Sequence, residues 1–432
     1  MKYVQVVRNK LSILFSANVA KSAIWLFALN ISNTIIPFFT FPYITRVFGP
    51  DGYGKLQFAL TFIAYFIVII NYGFNLVGAR NIAMVREDSF KLSKTFSSIL
   101  LSQIYIFLFT LFPLIMFTIF IPSLYDIRIL IWILYISVLG NTFMPVWLFH
   151  GLQKVKVMTI ISVSIRILFL ISVFSFVNNE NDLRVYSFIY SISLLLIGIT
   201  SLLYISKIRK IRFQIVSLRD VIKTLIEGFP VFISNIVIAI AGRTGILVLG
   251  LFYADKIVGY YSGASKIAEV IAMFFYPIGQ ALFPYCSRLY AKSFNDGYQV
   301  VIKVFRFILP VFGLITFLVV MFSDLIVKVV LGNDFSTSGN ILKLLALYPI
   351  LSIVSNMMGT QILVASGHTK EYGRAFIRGS VGYILFYLLF TYMFSAVGTA
   401  VAAILGELFC LLMLGIEVIK IKKKYVKIHQ VV

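Results

Sequence analysis

Long apolar stretches recur along the whole chain, and they constrain the fold more than any other feature of the sequence. A helix needs roughly 20 apolar residues to cross the hydrocarbon core of a bilayer, and about twelve stretches of that kind are present. Of the 432 residues, 60% are hydrophobic and only 12% are charged, a larger apolar share than soluble domains have. The sequence therefore predicts an all-α polytopic membrane protein.

Polar, glycine or proline residues separate the predicted spans. The spans are predicted near residues 19–44, 55–77, 95–121, 127–149, 155–177, 184–206, 228–253, 257–284, 302–323, 341–365, 375–394 and 397–419. Two connections are very short, Pro122–Asp126 and Ser395–Ala396. No short apolar region with a small-residue cleavage site precedes the first span, so we expect this span to be retained.

The basic residues alternate between the predicted loops in a way that indicates orientation. If the N-terminus is cytoplasmic, 28 of the 38 basic residues fall in inward loops or tails, and about seven fall in outward loops. Such a bias predicts that both termini face the cytoplasm. Because the basic residues lie between apolar runs, the net charge of +22 does not indicate nucleic-acid binding.

The longest polar stretch divides the chain near its middle. We expect an N-terminal six-helix half at 1–206, a basic cytoplasmic linker at 207–227, a C-terminal six-helix half at 228–419 and a basic cytoplasmic tail at 420–432. Six spans per half keep both halves in one orientation, which predicts a parallel repeat about an axis along the membrane normal. Three matches support this repeat: Gly52–Tyr53 with Gly259–Tyr260, Asn30 with Asn235, and 151–154 with 367–370.

A hinge is predicted at Phe41–Ala59, between the first two spans. Prolines cannot donate a backbone hydrogen bond and glycines tolerate positive φ, so these residues break one helix and start the next. The hinge residues are Pro42, Gly49, Pro50, Gly52 and Gly54. A phosphate-binding loop is excluded, because no Gly-Lys-Ser/Thr follows and no strand precedes.

Charged residues inside spans are the candidate site residues, because a charge in a bilayer is costly unless it faces a cavity or a partner. Arg166 and Arg243 lie near the middle of predicted spans, and Lys266 lies in another. These cations predict an anion-binding cavity between the halves, and arginine suits phosphate oxygens because its planar fork binds them bidentately. Arg46 and Arg80, at span ends, are further candidates.

Other interpretations of these residues stay open. Lys266 and Glu269 are three residues apart on one helix and can neutralise each other. Arg46 can anchor at the interface by snorkelling, and Arg80 can be an ordinary positive-inside residue. Glu269 and Glu407, as carboxylates within spans, are candidates for ion coupling.

No catalytic or cofactor motif is found. Cys286 and Cys410 lie far apart in or beside apolar segments and are interpreted as packing residues. We find no nucleophile triad, metal-ligand cluster or nucleotide loop, so we expect a transporter and not an enzyme, with no cofactor, no metal and no nucleic-acid partner.

Several motifs resemble a known family. Pro42 with Arg46, Phe48-Gly49-Pro50, Gly52-Tyr53-Gly54 and the stretch Asn71–Ala83 are similar to motifs of the polysaccharide flippases in the multidrug/oligosaccharidyl-lipid/polysaccharide exporter superfamily, and of the O-antigen translocases in particular. The resemblance implies a V-shaped inner-membrane transporter that moves an undecaprenyl-diphosphate-linked oligosaccharide from the cytoplasmic to the periplasmic leaflet by alternating access. It also implies a cationic central cavity, with Arg46, Arg166 and Arg243 as its arginines.

The resemblance implies partners and leaves alternatives. The partners are the lipid-linked glycan, membrane lipids and, in lipopolysaccharide biosynthesis, the glycan polymerase and chain-length regulator. A flippase for a capsular, exopolysaccharide or teichuronic glycan stays open. A cation-coupled multidrug antiporter of the same fold should carry anionic cavity residues instead. A membrane glycosyltransferase or polymerase should have a long outward loop with clustered charges.

The orientation can be tested with reporter fusions. A fluorescent protein fused after Val432 should fold and fluoresce, because the basic tail is predicted to be cytoplasmic. Alkaline phosphatase, which is active only in the periplasm, should be active when fused after Asp126 and inactive when fused after Val432. The reverse pattern would show that the chain is inverted.

Overall fold

The computed structural model describes residues 17–207 and 211–430, with side chains at Trp25, from Phe38 to Lys207 and from Ile211 to Tyr425. The side chain of Asn30, the N-terminal basic residues, residues 208–210 and the end of the tail lie outside that description. The helices are α1 Ala17–Asn71, α2 Phe74–Val85, α3 Ser89–Phe120, α4 Arg128–Thr142, α5 Val146–Gly151, α6 Val155–Phe176, α7 Leu183–Lys207, α8 Leu218–Phe252, α9 Asp255–Met273, α10 Tyr276–Tyr290, α11 Phe294–Met321, α12 Ser323–Val330, α13 Ser338–Leu345, α14 Tyr348–Asn356 and α15 Thr369–Gln430; a π-helix spans Met357–Val364.

Ten of the described helical stretches are long and apolar enough to cross a membrane. Two of the long helices contain residues with non-helical backbone angles. Gly49 lies within α1 at φ 62°, and Phe394 and Ser395 interrupt α15 with non-helical angles. The break at Gly49 lies between the first two predicted spans, and the break at Ser395 lies between the last two. The all-α membrane class is confirmed.

Packing divides the chain into two units. The first comprises the residues up to Tyr43 together with Phe62–Ile236, and the second comprises Ile44–Thr61 together with Val237–Val432. Most of the predicted hinge, from Ile44 onward, therefore packs with the C-terminal part of the chain, although it precedes that part by almost 200 residues. The domain boundaries given by the sequence stay a prediction.

The first unit has an aromatic core built from α2, α3 and α5. Phe96 and Trp147 are buried side by side there, with ring centroids 5.9 Å apart, and the Trp147 indole N–H donates to Gln103 at 3.2 Å. Elsewhere α4 and α7 touch through their backbones. A Cβ on Gly140 would lie 2.6 Å from the backbone of Leu194. Small residues permit such close helix contacts in membranes.

In the second unit, the hinge residues of α1 that follow Gly49 pack closely against the start of α9. A Cβ added to Gly54 would lie 1.8 Å from the carbonyl oxygen of Asp255, and one added to Gly259 would lie 1.9 Å from that of Pro50. The two contacts are reciprocal, so the hinge and its predicted counterpart pack against each other through their glycines.

This reciprocity favours a different register for the predicted repeat, which stays a prediction. Gly54 matches Gly259 and Pro50 matches Asp255, whereas the sequence comparison placed Gly52 on Gly259 with two inserted residues. The new register requires no insertion, and it is the register in which Asn30 and Asn235 correspond.

Helix α3 begins with a charged N-terminal cap. The Asp88 carboxylate accepts hydrogen bonds from the backbone N–H groups of Phe90 and Lys91, each at 3.1 Å. The Lys91 backbone N–H and side chain hold the pKa of this carboxyl below its usual range. Asp88 therefore stabilises the folded state above the pKa of the unfolded chain, and this contribution is lost as pH falls through the lower folded pKa.

Substituting the reciprocal glycines tests the contact. We expect Gly54→Ala and Gly259→Ala each to lower the free energy of unfolding by about 1–3 kcal/mol, because the added methyl group must displace a helix backbone. Thermal unfolding of the purified protein in detergent measures the effect.

Gly313→Ala serves as the control, since nothing lies within 4 Å of its added Cβ in α11. This variant should be unchanged or slightly more stable, because alanine favours helix. Equal melting temperatures for all three variants would contradict a close helix contact at Gly54 and Gly259.

Candidate functional site

A cavity of about 320 Å³ lies within the second unit. Its wall is formed by α8, α9, α10, α14, the π-helix and both parts of α15. The polar side chains at this cavity are mostly hydroxyls and carboxylates; the charged ones are Glu269 and Glu407. Among the described lining residues there is no lysine or arginine, so the cavity itself carries negative charge.

Glu407 is the buried acid of this cavity. It is 7% exposed, and its two carboxylate oxygens accept hydrogen bonds from the Ser355 and Tyr383 hydroxyls. Within residues 38–207 and 211–425, no basic side chain forms an ion pair with it. The two hydroxyls replace part of the hydration of the carboxylate but do not neutralise it.

Tyrosines are the most frequent polar residues of the lining. Tyr383 and Tyr387 lie one helical turn apart on α15, and their rings are stacked with centroids 6.0 Å apart. Both are buried, as is Tyr261 of α9. Tyr276, Tyr348 and Tyr372 complete the set. Their hydroxyls give the cavity groups that can both donate and accept hydrogen bonds.

Glu269 lies at the exposed side of the cavity. Its side chain is half exposed and accepts a hydrogen bond from the Lys266 ammonium at 3.1 Å. The pairing expected from their three-residue spacing is therefore present, and it reduces the positive charge that Lys266 can offer to a ligand.

The helix beside the cavity is irregular. Met357–Val364 is π-helical, and the buried Gln361 donates to the carbonyl oxygen of Gly279 at 3.0 Å and to Asn356 at 3.3 Å. π-Helical turns leave backbone groups in unusual positions and are frequent at functional sites. Asn356 and Thr360 of this region line the cavity.

Arg166 belongs to the first unit and lies in the middle of α6. It is partly buried, and its Nε is enclosed without a hydrogen-bond partner. The hydroxyls of Ser162 and Ser191, in the same unit, are also enclosed and unpartnered. No described carboxylate forms an ion pair with Arg166. This arginine is an uncompensated cation in a membrane-spanning helix.

The other predicted arginines have different surroundings. Arg243 is exposed on α8, next to the cavity-lining Gly242. Arg46 is exposed, and its guanidinium donates to the carbonyl oxygen of Val329 at the end of α12. Arg46 thereby caps a helix C-terminus, which favours positive charge. This contact accounts for the position of Arg46 without a ligand.

Arg80 is exposed on the short helix α2, whose opposite face buries Phe74, Gly78 and Ile82 in the core of the first unit. The neighbouring Asn81 donates to Glu227 at 2.9 Å. The structure thus brings Lys266 and Glu269 together, while Arg166 lies in one unit and Arg46, Arg243 and Lys266 lie in the other. A substrate role for any of these residues stays a prediction.

The sequence-based reasoning missed Tyr383 and Ser355, the partners of Glu407. The sequence did contain a signal for Tyr383. Tyr383 and Glu407 lie the same number of residues before and after Ser395. Two helices that meet at a sharp break place such residues at similar depth. No comparable signal pointed to Ser355, which comes from another helix.

The fold and site can now be compared with known proteins. Residues 19–290 match the family described as polysaccharide biosynthesis protein. The chain belongs to this family. The match covers more than half of the chain, and it confirms the resemblance to polysaccharide flippases on which the motif comparison rested.

Two relatives extend the family assignment along nearly the full chain. A putative O-antigen transporter of Escherichia coli K12 is 27% identical over 92% of this chain and 95% of its own length. A putative O-antigen transporter of Shigella dysenteriae is 24% identical over 91% of this chain and 98% of its own length. These relatives support the prediction that this family member is a transporter and not an enzyme.

Solved structures agree on the fold. A lipid II flippase in an inward closed conformation has a TM-score of 0.69 at 18% identity, covering 94% of this chain and 91% of its own. An inward-facing multidrug transporter of the same superfamily has a TM-score of 0.66 at 13% identity, covering 91% of this chain and 98% of its own. At these identities the likeness concerns the fold alone.

The helix-capping role of Arg46 can be tested by stability. We expect Arg46→Ala to lower the free energy of unfolding by about 1 kcal/mol, because a charged hydrogen bond to the end of α12 is lost. Thermal unfolding in detergent measures the change. Arg243→Ala is the matched control, since this exposed arginine forms no hydrogen bond with the described residues, and its melting temperature should not change. Equal effects of the two substitutions would show that Arg46 is not a cap.

Proposed function

We propose that this chain is a flippase that carries an undecaprenyl-diphosphate-linked oligosaccharide from the cytoplasmic to the periplasmic leaflet of a bacterial inner membrane by alternating access. The observation that carries the proposal is Arg166, a cation inside a membrane-spanning helix with no described carboxylate to neutralise it. Such a residue is costly unless an anion binds it during the transport cycle.

The chemistry of a lipid diphosphate fits this arginine. A diphosphate cannot cross hydrocarbon alone, because its transfer out of water costs far more free energy than its contacts with lipid tails recover. A guanidinium replaces part of that water with directed, charge-assisted hydrogen bonds. The unpartnered hydroxyls of Ser162 and Ser191 are further donors in this unit. The lipid tail can stay in the bilayer while the head group passes through the protein.

The hinge supports alternation between conformations. At Gly49 the backbone has φ 62° and open space around the Cβ position, so the break in α1 rests on conformational freedom and not on packing. Helix breaks of this kind are where a membrane helix can change direction, provided that neighbouring groups satisfy the freed backbone. We propose that α1 bends at this glycine as the transporter opens and closes.

The glycan itself is left open by these arguments. Both full-length relatives are named as O-antigen transporters, which favours the repeat unit of a lipopolysaccharide. A capsular, exopolysaccharide or teichuronic unit has the same lipid diphosphate and would use the same arginine. A glycan polymerase and a chain-length regulator are the expected consumers of the flipped unit.

A second candidate function is favoured by the cavity of the second unit. Its tyrosines and the carboxylates Glu269 and Glu407 would suit an organic cation, because aromatic faces and negative charge both attract positive groups. A cation-coupled multidrug antiporter is therefore the competing proposal. Arg166 argues against it, since an organic cation would be repelled there.

Complementation tests the proposal. In a bacterial strain that lacks its own O-antigen transporter, the wild-type chain should restore surface glycan, as measured on a gel. Arg166→Ala should reduce the restored glycan at least tenfold at equal membrane expression, because the diphosphate loses its charged ligand. Arg166→Lys should keep part of the activity, since it retains the charge without the bidentate fork.

Arg128→Ala is the matched control. Arg128 belongs to the same unit but starts α4 and lies over the Tyr125 ring, 4.4 Å from its centroid, so glycan should stay at the wild-type level. Full activity of Arg166→Ala would remove this residue from the site. Failure of the wild-type chain together with resistance to cationic drugs in an efflux assay would favour the antiporter.

A further inference from the structure

Glu407 is a buried carboxylate in a membrane-spanning helix with no described cation beside it. It is 7% exposed, and the ion pairs of the second unit involve other acids, such as Glu269 with Lys266 and Glu417 with Lys420. Three arrangements can relieve the cost of such a charge: a basic partner, a bound metal ion or a proton.

The first two arrangements find no support at Glu407. The described residues form no ion pair with it, and they contain no group of three or more His, Cys, Asp or Glu side chains that could hold a metal ion. Its two hydrogen-bond partners, Ser355 and Tyr383, are hydroxyls. Hydroxyls can donate to a carboxylate and can equally accept from a carboxylic acid, so the same partners suit both protonation states.

A route for the proton is also present. Glu407 and the half-exposed Glu269 line the same cavity of about 320 Å³. This volume holds several water molecules, and polar walls of this kind favour hydration. Proton exchange between the buried acid and water therefore requires no unfolding of the surrounding helices.

The other titratable groups around this cavity are weak acids. Tyr261, Glu269 and Tyr276 come from α9 and α10, Tyr348 from α14, and Tyr372, Tyr383, Tyr387 and Cys410 from α15; α8, α13 and the π-helix contribute no titratable lining residue. At neutral pH tyrosines and cysteines are ordinarily uncharged. Glu407 is thus the buried carboxyl group of the set.

We infer that Glu407 binds and releases one proton in each transport cycle, and that this exchange couples the proton gradient to movement of the glycan. The inference rests on the proposed flippase function. The proton adds to a Glu407 carboxylate oxygen and converts it to a carboxylic acid, whose O–H then donates to the Tyr383 or Ser355 oxygen. On release the proton returns to cavity water and the carboxylate again accepts from both hydroxyls.

Infrared difference spectroscopy of the purified full chain, titrated with acid, tests proton binding without any glycan. The wild-type protein should show the carbonyl band of a buried carboxylic acid, and Glu407→Gln should lose this band. Glu371→Gln is the matched control: Glu371 is in the same helix α15 but is paired with Arg374 at 3.2 Å, so its substitution should leave the band in place. A band that persists in Glu407→Gln overturns the inference.

A second variant keeps the test decisive if Glu407→Gln does not fold. Tyr383→Phe retains the acid and removes one hydroxyl partner, so the band should remain but move in frequency and in its pH midpoint. An unchanged band in Tyr383→Phe would show that the titrating group is not Glu407 and would overturn the inference.

Coupling is measured separately, in vesicles that contain the purified protein and a lipid-linked oligosaccharide. An imposed pH gradient should accelerate flipping by the wild-type chain, whereas Glu407→Gln should flip at the rate seen without a gradient. If the gradient still accelerates Glu407→Gln, Glu407 is not the coupling site. If the infrared band depends on Glu407 but the wild-type chain flips no glycan, the proposed function fails and proton binding stands.

Discussion

The structure depends on one constraint: inside hydrocarbon, each backbone N–H and C=O group must find a partner within the protein. The constraint produces long helices, and it makes each interruption conspicuous. Interruptions in the described residues include a glycine break in α1, a sharp turn at Ser395 and the π-helix at Met357–Val364. The hinge contact between Gly54 and Gly259 shows how such a break is accommodated, because small residues allow two helix backbones to meet.

The cost of burial also applies to the charged side chains. The first unit encloses part of Arg166 without an acid, and the second buries Glu407 without a base. A stable fold would gain by removing either charge or by pairing it, so their retention points to ligands of opposite sign that come and go. An anionic head group and a proton are such ligands. Two other charged candidates have partners within the protein: Lys266 has Glu269, and Arg46 has the end of α12.

The sequence predicted the spans, because hydrocarbon thickness and apolar length are local properties. It predicted the break near Gly49 for the same reason, since proline and glycine act on their own backbone. The environment of Glu407 required three dimensions, because Ser355 and Tyr383 come from distant positions in the chain. The sequence also could not distinguish the surroundings of Arg46 and Arg166: Arg46 is exposed and donates to the carbonyl oxygen of Val329, whereas Arg166 is partly buried and its Nε has no partner.

A lone buried carboxylate has an electrical consequence. The membrane potential acts on an unneutralised charge with about 2.3 kcal/mol per elementary charge for each 100 mV across the bilayer. No basic side chain in the described part of the chain forms an ion pair with Glu407, whereas the ion pair of Lys266 with Glu269 is neutral as a whole. The membrane potential therefore exerts a force on Glu407 when it is a charged carboxylate and none when it is a neutral acid. Each protonation would thus change how strongly voltage acts on the second unit.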